Sequence, residues 1–229
     1  LALRTSPIAA SRVAFPAMPL FARTPALPSI RFLAARTFGV LVALLAAALA
    51  LSACGPATPK FKGSDVTGSA FGRDFALVDV DGKPRTLADY RGKAVVLFFG
   101  YTQCPDVCPT TLSTLAEAMK QLGPDADRVQ GVFVTVDPER DTAELLKQYV
   151  PAFDPRFVGL RGDAAQTEAV AKEFRIIFQK VPGRTPETYT VDHSAGIFLF
   201  DPAGRLRVYE GHGQPPDVLA HDLRLLLAS

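Results

Sequence analysis

Phe98-Phe99-Gly100-Tyr101-Thr102-Gln103-Cys104-Pro105-Asp106-Val107-Cys108-Pro109 decides how the rest of this chain is read. It leaves the apolar run Ala94 to Phe99, whose unbroken hydrophobic character is that of a strand buried on both faces. It enters Leu112, Leu115, Ala116, Met119 and Leu122, spaced along one face of a helix that Gly123-Pro124 closes. Pro109 suits the first helical position, where its missing N–H has no partner to lose. That register puts Cys108 at or just before the helix N-terminus, where free amides and the helix dipole favour a thiolate. Cys104 lies four residues earlier, so a curled loop brings both sulfurs to one point.

Outward from this segment, strand and helix patterns alternate. Phe75 to Val80 alternates as a strand and meets the turn signal Asp81-Gly82. Val129 to Val136 reads as a second buried strand. Asp141 and Glu144 are spaced as a capping box opening a helix with Leu145, Leu146 and Tyr149, which stops before Pro151. A short strand at Phe157 to Leu160 precedes a helix capped by Asp163 and ending near Phe174. Ile197 to Phe200 and Leu206 to Tyr209 flank Asp201-Pro202-Ala203-Gly204 as a hairpin. Val218, Leu219, Leu223, Leu226 and Leu227 make a closing amphipathic helix. Alternating strands and helices predict a parallel core, and the late hairpin adds antiparallel strands at one side. The expected class is α/β, a central mixed sheet flanked by helices, compatible with a thioredoxin-like fold.

A dithiol at one point can close to a disulfide, exchange with other disulfides, or hold a soft metal. Redox pairs of the thioredoxin type have two intervening residues, whereas Pro105, Asp106 and Val107 make three here, which argues mildly against ordinary exchange. Val191-Asp192-His193-Ser194 stands immediately before the Ile197 strand. In a thioredoxin-like arrangement the loop entering that strand faces the cysteine-bearing helix end, which makes His193 the candidate third ligand. Two thiolates and one imidazole suit Cu(I), and with rearrangement or an added ligand accept Cu(II). Zinc more often brings a fourth protein ligand or a water. Asp137, ending the strand after the cysteine helix, is expected to support the site or dock a partner, or else to be a turn residue. His212, in a Gly-His-Gly turn, and His221, on the outer face of the last helix, read as solvated.

The first part of the chain has a different character. Residues 1–53 contain Arg4, Arg12, Arg23, Arg31 and Arg36, no acidic residue, and the apolar run Phe38 to Leu51. Basic then apolar is the construction of a secretory signal, and the run is shorter than the roughly 20 residues a spanning helix needs. Met18 is the first methionine and the expected start of translation. Leu51-Ser52-Ala53-Cys54 resembles the lipobox of bacterial lipoproteins, which implies cleavage before Cys54 and lipid on that cysteine. Residues 54–69, rich in Gly, Pro, Thr, Ser and Lys, read as a lipid-anchored tether to a domain at 70–229. The expected location is the periplasmic face of a cell membrane. Of the 25 basic residues, the five in the signal leave 20 against 23 acidic, so no basic nucleic-acid footprint is present. With Cys54 assigned to lipid, the three cysteines leave one pair.

Three separated blocks, Gly100 to Pro109, Thr135 to Thr142, and Val191 to Ser194 leading into Ile197 to Arg205, resemble the SCO/SenC family of copper proteins that assist cytochrome oxidase assembly. The resemblance spans about Phe71 to Leu227. It implies a thioredoxin-like domain whose Cys104, Cys108 and His193 bind copper and pass it to the dinuclear copper site of subunit II of cytochrome c oxidase, or to another copper-transfer protein, with the carrier expected to be a monomer. Gln103 departs from the family pattern, in which a histidine is often found there. The resemblance also implies an alternative, a thiol-disulfide reductase in which Cys104 and Cys108 cycle through a disulfide to keep the target's copper-ligand cysteines reduced. A peroxidase reading lacks the arginine and the Pro-x-x-x-Thr-x-x-Cys arrangement it needs.

Overall fold

A computed structural model describes residues 60–185 and 188–228. The expected signal sequence, Met18 and the lipid site Cys54 lie outside the described residues. Chain order is β1 (Ser64–Asp65), β2 (Leu77–Asp79), β3 (Pro84–Arg85), β4 (Ala94–Gly100), α1 (Val107–Leu122), β5 (Val129–Thr135), α2 (Ala143–Tyr149), β6 (Phe157–Arg161), α3 (Ala164–Glu173), β7 (Phe178–Val181), β8 (Thr190–His193), β9 (Ile197–Phe200), β10 (Leu206–Glu210) and α4 (Pro216–Leu227).

Eight strands form one mixed sheet in the order β1-β10-β9-β4-β5-β6-β2-β3. β4, β5 and β6 are parallel neighbours, as the alternation of strand and helix predicts. β9 lies antiparallel on the other side of β4 and pairs with β10. This is the thioredoxin-like α/β arrangement, with helices flanking the sheet. Every residue of β4 is buried, and each of its large side chains contributes about 1.5–3 kcal/mol on leaving water. α1 packs its Leu112, Leu115, Met119 and Leu122 face inward and ends at Gly123, whose φ of 60° lies in the left-handed region that favours glycine.

The structure differs from the sequence reading in four places. α1 begins at Val107, with Asp106 before it, so Cys108 sits inside the first turn and Pro109 is the third helical residue. Thr142, not Asp141, caps α2, its hydroxyl accepting from the Leu145 N–H at 3.3 Å. A two-stranded ribbon, β7 with β8, stands outside the main sheet, and His193 is the last residue of β8 rather than part of a loop. Finally, the span read as a tether is tied to the domain before it ends. Ser64 and Asp65 pair with β10, and the N–H groups of Lys62 and Gly63 donate to the Asp222 carboxylate at 2.9 to 3.0 Å. That tie links residues about 160 apart in sequence, which local composition cannot express.

Candidate metal centre

β4 delivers the cysteine loop and β8 delivers the histidine, to the same end of the sheet. Beyond Gly100 the chain turns tightly, the Cys104 N–H donating to the Tyr101 carbonyl at 3.3 Å. The Cys108 N–H donates to Cys104 Sγ at 3.3 Å, and Cys108 Sγ lies 3.3 Å from His193 Nε2. The sulfurs of Cys104 and Cys108 and a ring nitrogen of His193 all fall within 4.8 Å of one another. Among the described residues this is the one such cluster of histidine, cysteine and carboxylate groups. Both cysteines are free thiols. Cys108 is buried, while Cys104 and His193 are half-buried. A cavity of about 280 Å³ opens over Cys104 and His193, walled in part by Tyr101, Val107 and Asp192.

Histidine tautomer follows from its neighbours. Nδ1 is 3.0 Å from the Ser194 carbonyl, which can only accept, so Nδ1 carries the hydrogen and the Nε2 lone pair faces the sulfur of Cys108. Burial lowers the His193 pKa from its ordinary 6.5, favouring the neutral ring that a metal requires. Tyr101 and Phe98 hold the ring edge-on, with centroids at 5.9 and 6.3 Å.

Cys108 does not behave as its place near a helix N-terminus predicts. Burial first, and hydrogen bonding with Cys104 second, push its thiol far above the ordinary value. Desolvation of a sulfur with no exposed surface outweighs the helix dipole, so the resting group is a thiol aimed at Nε2. A soft metal bound there takes the place of that proton. Gly100 makes the packing possible, since a Cβ on it would lie 2.9 Å from Cys108 Sγ and 2.8 Å from the Phe133 ring.

Two buried carboxylates support the loop and the ribbon. Asp141, expected as a helix cap, accepts instead from the Thr102 N–H at 3.1 Å and from the hydroxyls of Thr102 and Thr135 at 2.5 Å each. It pins the cysteine loop to the end of β5. Asp137 is also buried. Its carboxylate pairs with Arg140 and accepts from the Tyr189 hydroxyl at 2.7 Å. The Arg140 guanidinium stacks 3.6 Å from the centroid of the Tyr189 ring and donates to the Tyr189 carbonyl at 2.8 Å. Asp137 therefore acts on the ribbon that carries His193, through Arg140 and Tyr189. Arg140 also donates to Gln103 at 3.1 Å, and the Tyr101 hydroxyl accepts from the Val191 N–H at 3.2 Å.

Tyr101, Arg140, Asp141 and Tyr189 are supports that sequence reading missed. Tyr101 lies between β4 and the cysteines, whereas Arg140 and Tyr189 are 49 residues apart and carry no joint local signal. Of the two histidines read as solvated, His212 is exposed and His221 is half-buried, with Nδ1 2.7 Å from Asp222. Neither belongs to the cysteine cluster.

A family model described as SCO1/SenC matches residues 64–228. The chain is 38% identical over 158 residues to the Mus musculus protein SCO2 homolog, mitochondrial, covering 68% of this chain and 62% of that protein. It thus spans only about three fifths of the length of curated relatives such as this. Among solved structures it resembles Bradyrhizobium japonicum ScoI with copper bound, at 42% identity and a TM-score of 0.64, over 69% of this chain and 100% of that one. It also resembles the solution structure of apo Sco1 from Thermus thermophilus, at 40% identity and a TM-score of 0.66, over 75% and 99%. Among the described residues no helix is long and apolar enough to cross a membrane.

Proposed function

The chain belongs to the SCO1/SenC family, and we propose that it is a copper carrier that loads the dinuclear copper site of cytochrome c oxidase subunit II through Cys104, Cys108 and His193. The observation that carries this reading is the approach of two sulfurs and one imidazole nitrogen to within 4.8 Å at the open end of the sheet. Two soft sulfurs and one nitrogen suit Cu(I), in keeping with a copper-bound relative of 42% identity. Uptake through both thiolates releases the two thiol protons and leaves Nδ1 of His193 donating to Ser194.

Burial assigns the ligands an order in transfer. Cys108 is sealed beneath the loop, and Cys104 is the more exposed sulfur. An incoming ligand of the acceptor therefore displaces Cys104 first, and Cys108 releases the metal last. Lipid on Cys54 would hold the domain at the periplasmic face of the membrane beside its target, a reading supported by Leu51-Ser52-Ala53-Cys54.

The test is transfer to an apo fragment of subunit II. Copper-loaded protein is expected to metallate the reduced fragment. Failure to do so, with metal-free dithiol protein reducing the fragment's disulfide, would establish the reductase instead.

A further inference from the structure

Far along the chain from the cysteines, the end of β10 and the face of α4 bury two acids side by side. Glu210 and Asp222 each have no exposed surface. Asp222 is well supplied with donors, from the N–H groups of Lys62 and Gly63 and from His221 Nδ1 at 2.7 Å. Glu210 has none, for neither of its carboxyl oxygens has a hydrogen-bond donor among the described residues. The backbone of residues 62–65 lies directly across it. A Cβ on Gly63 would stand 2.5 to 2.7 Å from all three carboxyl atoms of Glu210, so a side chain there would have to displace that carboxyl group. The segment then continues into β1 on the edge of β10.

A buried carboxylate with no donor is costly, and one beside a second carboxylate is more so. A proton removes both costs, since protonated Glu210 becomes a donor to Asp222. We propose that Glu210 and Asp222 share one proton, and that this proton latches residues 62–65, the root of the segment leading to the N-terminus, onto the domain. Burial, followed by the charge of Asp222, raises Glu210 from its ordinary 4.5 to about 7. Charged and titratable groups meet the pair from two sides. Asp222 and His221 come from α4, and Lys62 from the strap offers its N–H while its ammonium turns to Asp217 at 3.2 Å.

The direction of the effect follows from the sign of the shift. A carboxyl raised in the folded state contributes stability that is complete below about pH 4.5 and is lost as pH rises through about 7. With the proton gone, two like charges press on the strap at the point where Asp222 holds it. Residues 62–65 open more readily at pH 8 than at pH 5.5, while the cysteine cluster, built on other elements, is unaffected. The latch sets how readily residues 62–65 leave the domain.

Hydrogen exchange of the Lys62 and Gly63 amides, corrected for the intrinsic pH dependence of exchange, reads this opening in the reduced chain. The expected result is an opening equilibrium on the order of ten-fold larger at pH 8 than at pH 5.5. Glu210→Gln, which keeps a neutral donor beside Asp222, is expected to abolish that difference. Equal opening at the two pH values in the wild-type chain, or an unchanged pH dependence in Glu210→Gln, would overturn the proposal. Should that variant fail to fold, the Glu210 carboxyl carbon can be titrated by NMR in the wild-type chain. A midpoint near 7 supports the shared proton, and one below 5 refutes it.

Discussion

Replacing Asp141 by alanine removes a carboxylate that three groups use at once, and the structure sets the cost. The Thr135 hydroxyl is fully buried, so losing its acceptor at 2.5 Å incurs the full penalty of an unsatisfied group. The Thr102 N–H and hydroxyl are half-buried, and water replaces part of what they lose. Together these give about 2–4 kcal/mol. For a domain of this size that is a fall of roughly 5–15 °C in Tm. Burial also raises the Asp141 carboxyl above its ordinary value, so Asp141→Asn, which keeps one acceptor and carries no charge, is expected to cost clearly less. Chemical denaturation of the reduced, metal-free protein measures both variants. Because Thr102 stands two residues before Cys104, copper affinity is expected to fall with stability in the alanine variant. An alanine variant within 0.5 kcal/mol of wild type, or an asparagine variant as unstable as alanine, would refute the pinning role given to Asp141.

Gly100→Ala forces a methyl against Phe133 and the Cys108 sulfur, and is expected to cost about 1–3 kcal/mol by overpacking and to weaken copper binding through displaced Cys108. Denaturation and a copper competition titration check the two effects. In the reduced, metal-free protein, alkylation is expected at Cys104 well before Cys108, because Cys108 is sealed and burial pushes its thiol up. Peptide mass spectrometry of a time course reads the order, and equal rates would contradict the buried-thiol assignment.

What the sequence made legible is local. The unbroken apolar run of β4 announced a central strand, Asp163 announced the cap of α3, and Asp201 to Gly204 announced the turn between β9 and β10. Cys104, Cys108 and His193 were legible because their chemistry is rare and their places at element ends are simple. Hidden from it were the arrangements that depend on distant partners. β7 is exposed along most of its length, so Phe178 to Val181 carries no burial pattern, and its pairing with β8 spans a loop rich in proline and glycine. Asp141 has a cap's spacing but a buried carboxylate's role, decided by Thr102 of the cysteine loop and Thr135 of β5. Helix-end electrostatics pointed to a Cys108 thiolate, and the missing quantity was burial, which only packing supplies.

X-ray absorption and copper stoichiometry of the reduced protein, beside a His193→Ala variant, test the central claim most directly. Wild type is expected to bind one copper with two sulfur neighbours and one imidazole nitrogen. The variant is expected to lose the nitrogen and bind more weakly. Unchanged affinity and an unchanged spectrum in His193→Ala would contradict a centre built from Cys104, Cys108 and His193 together.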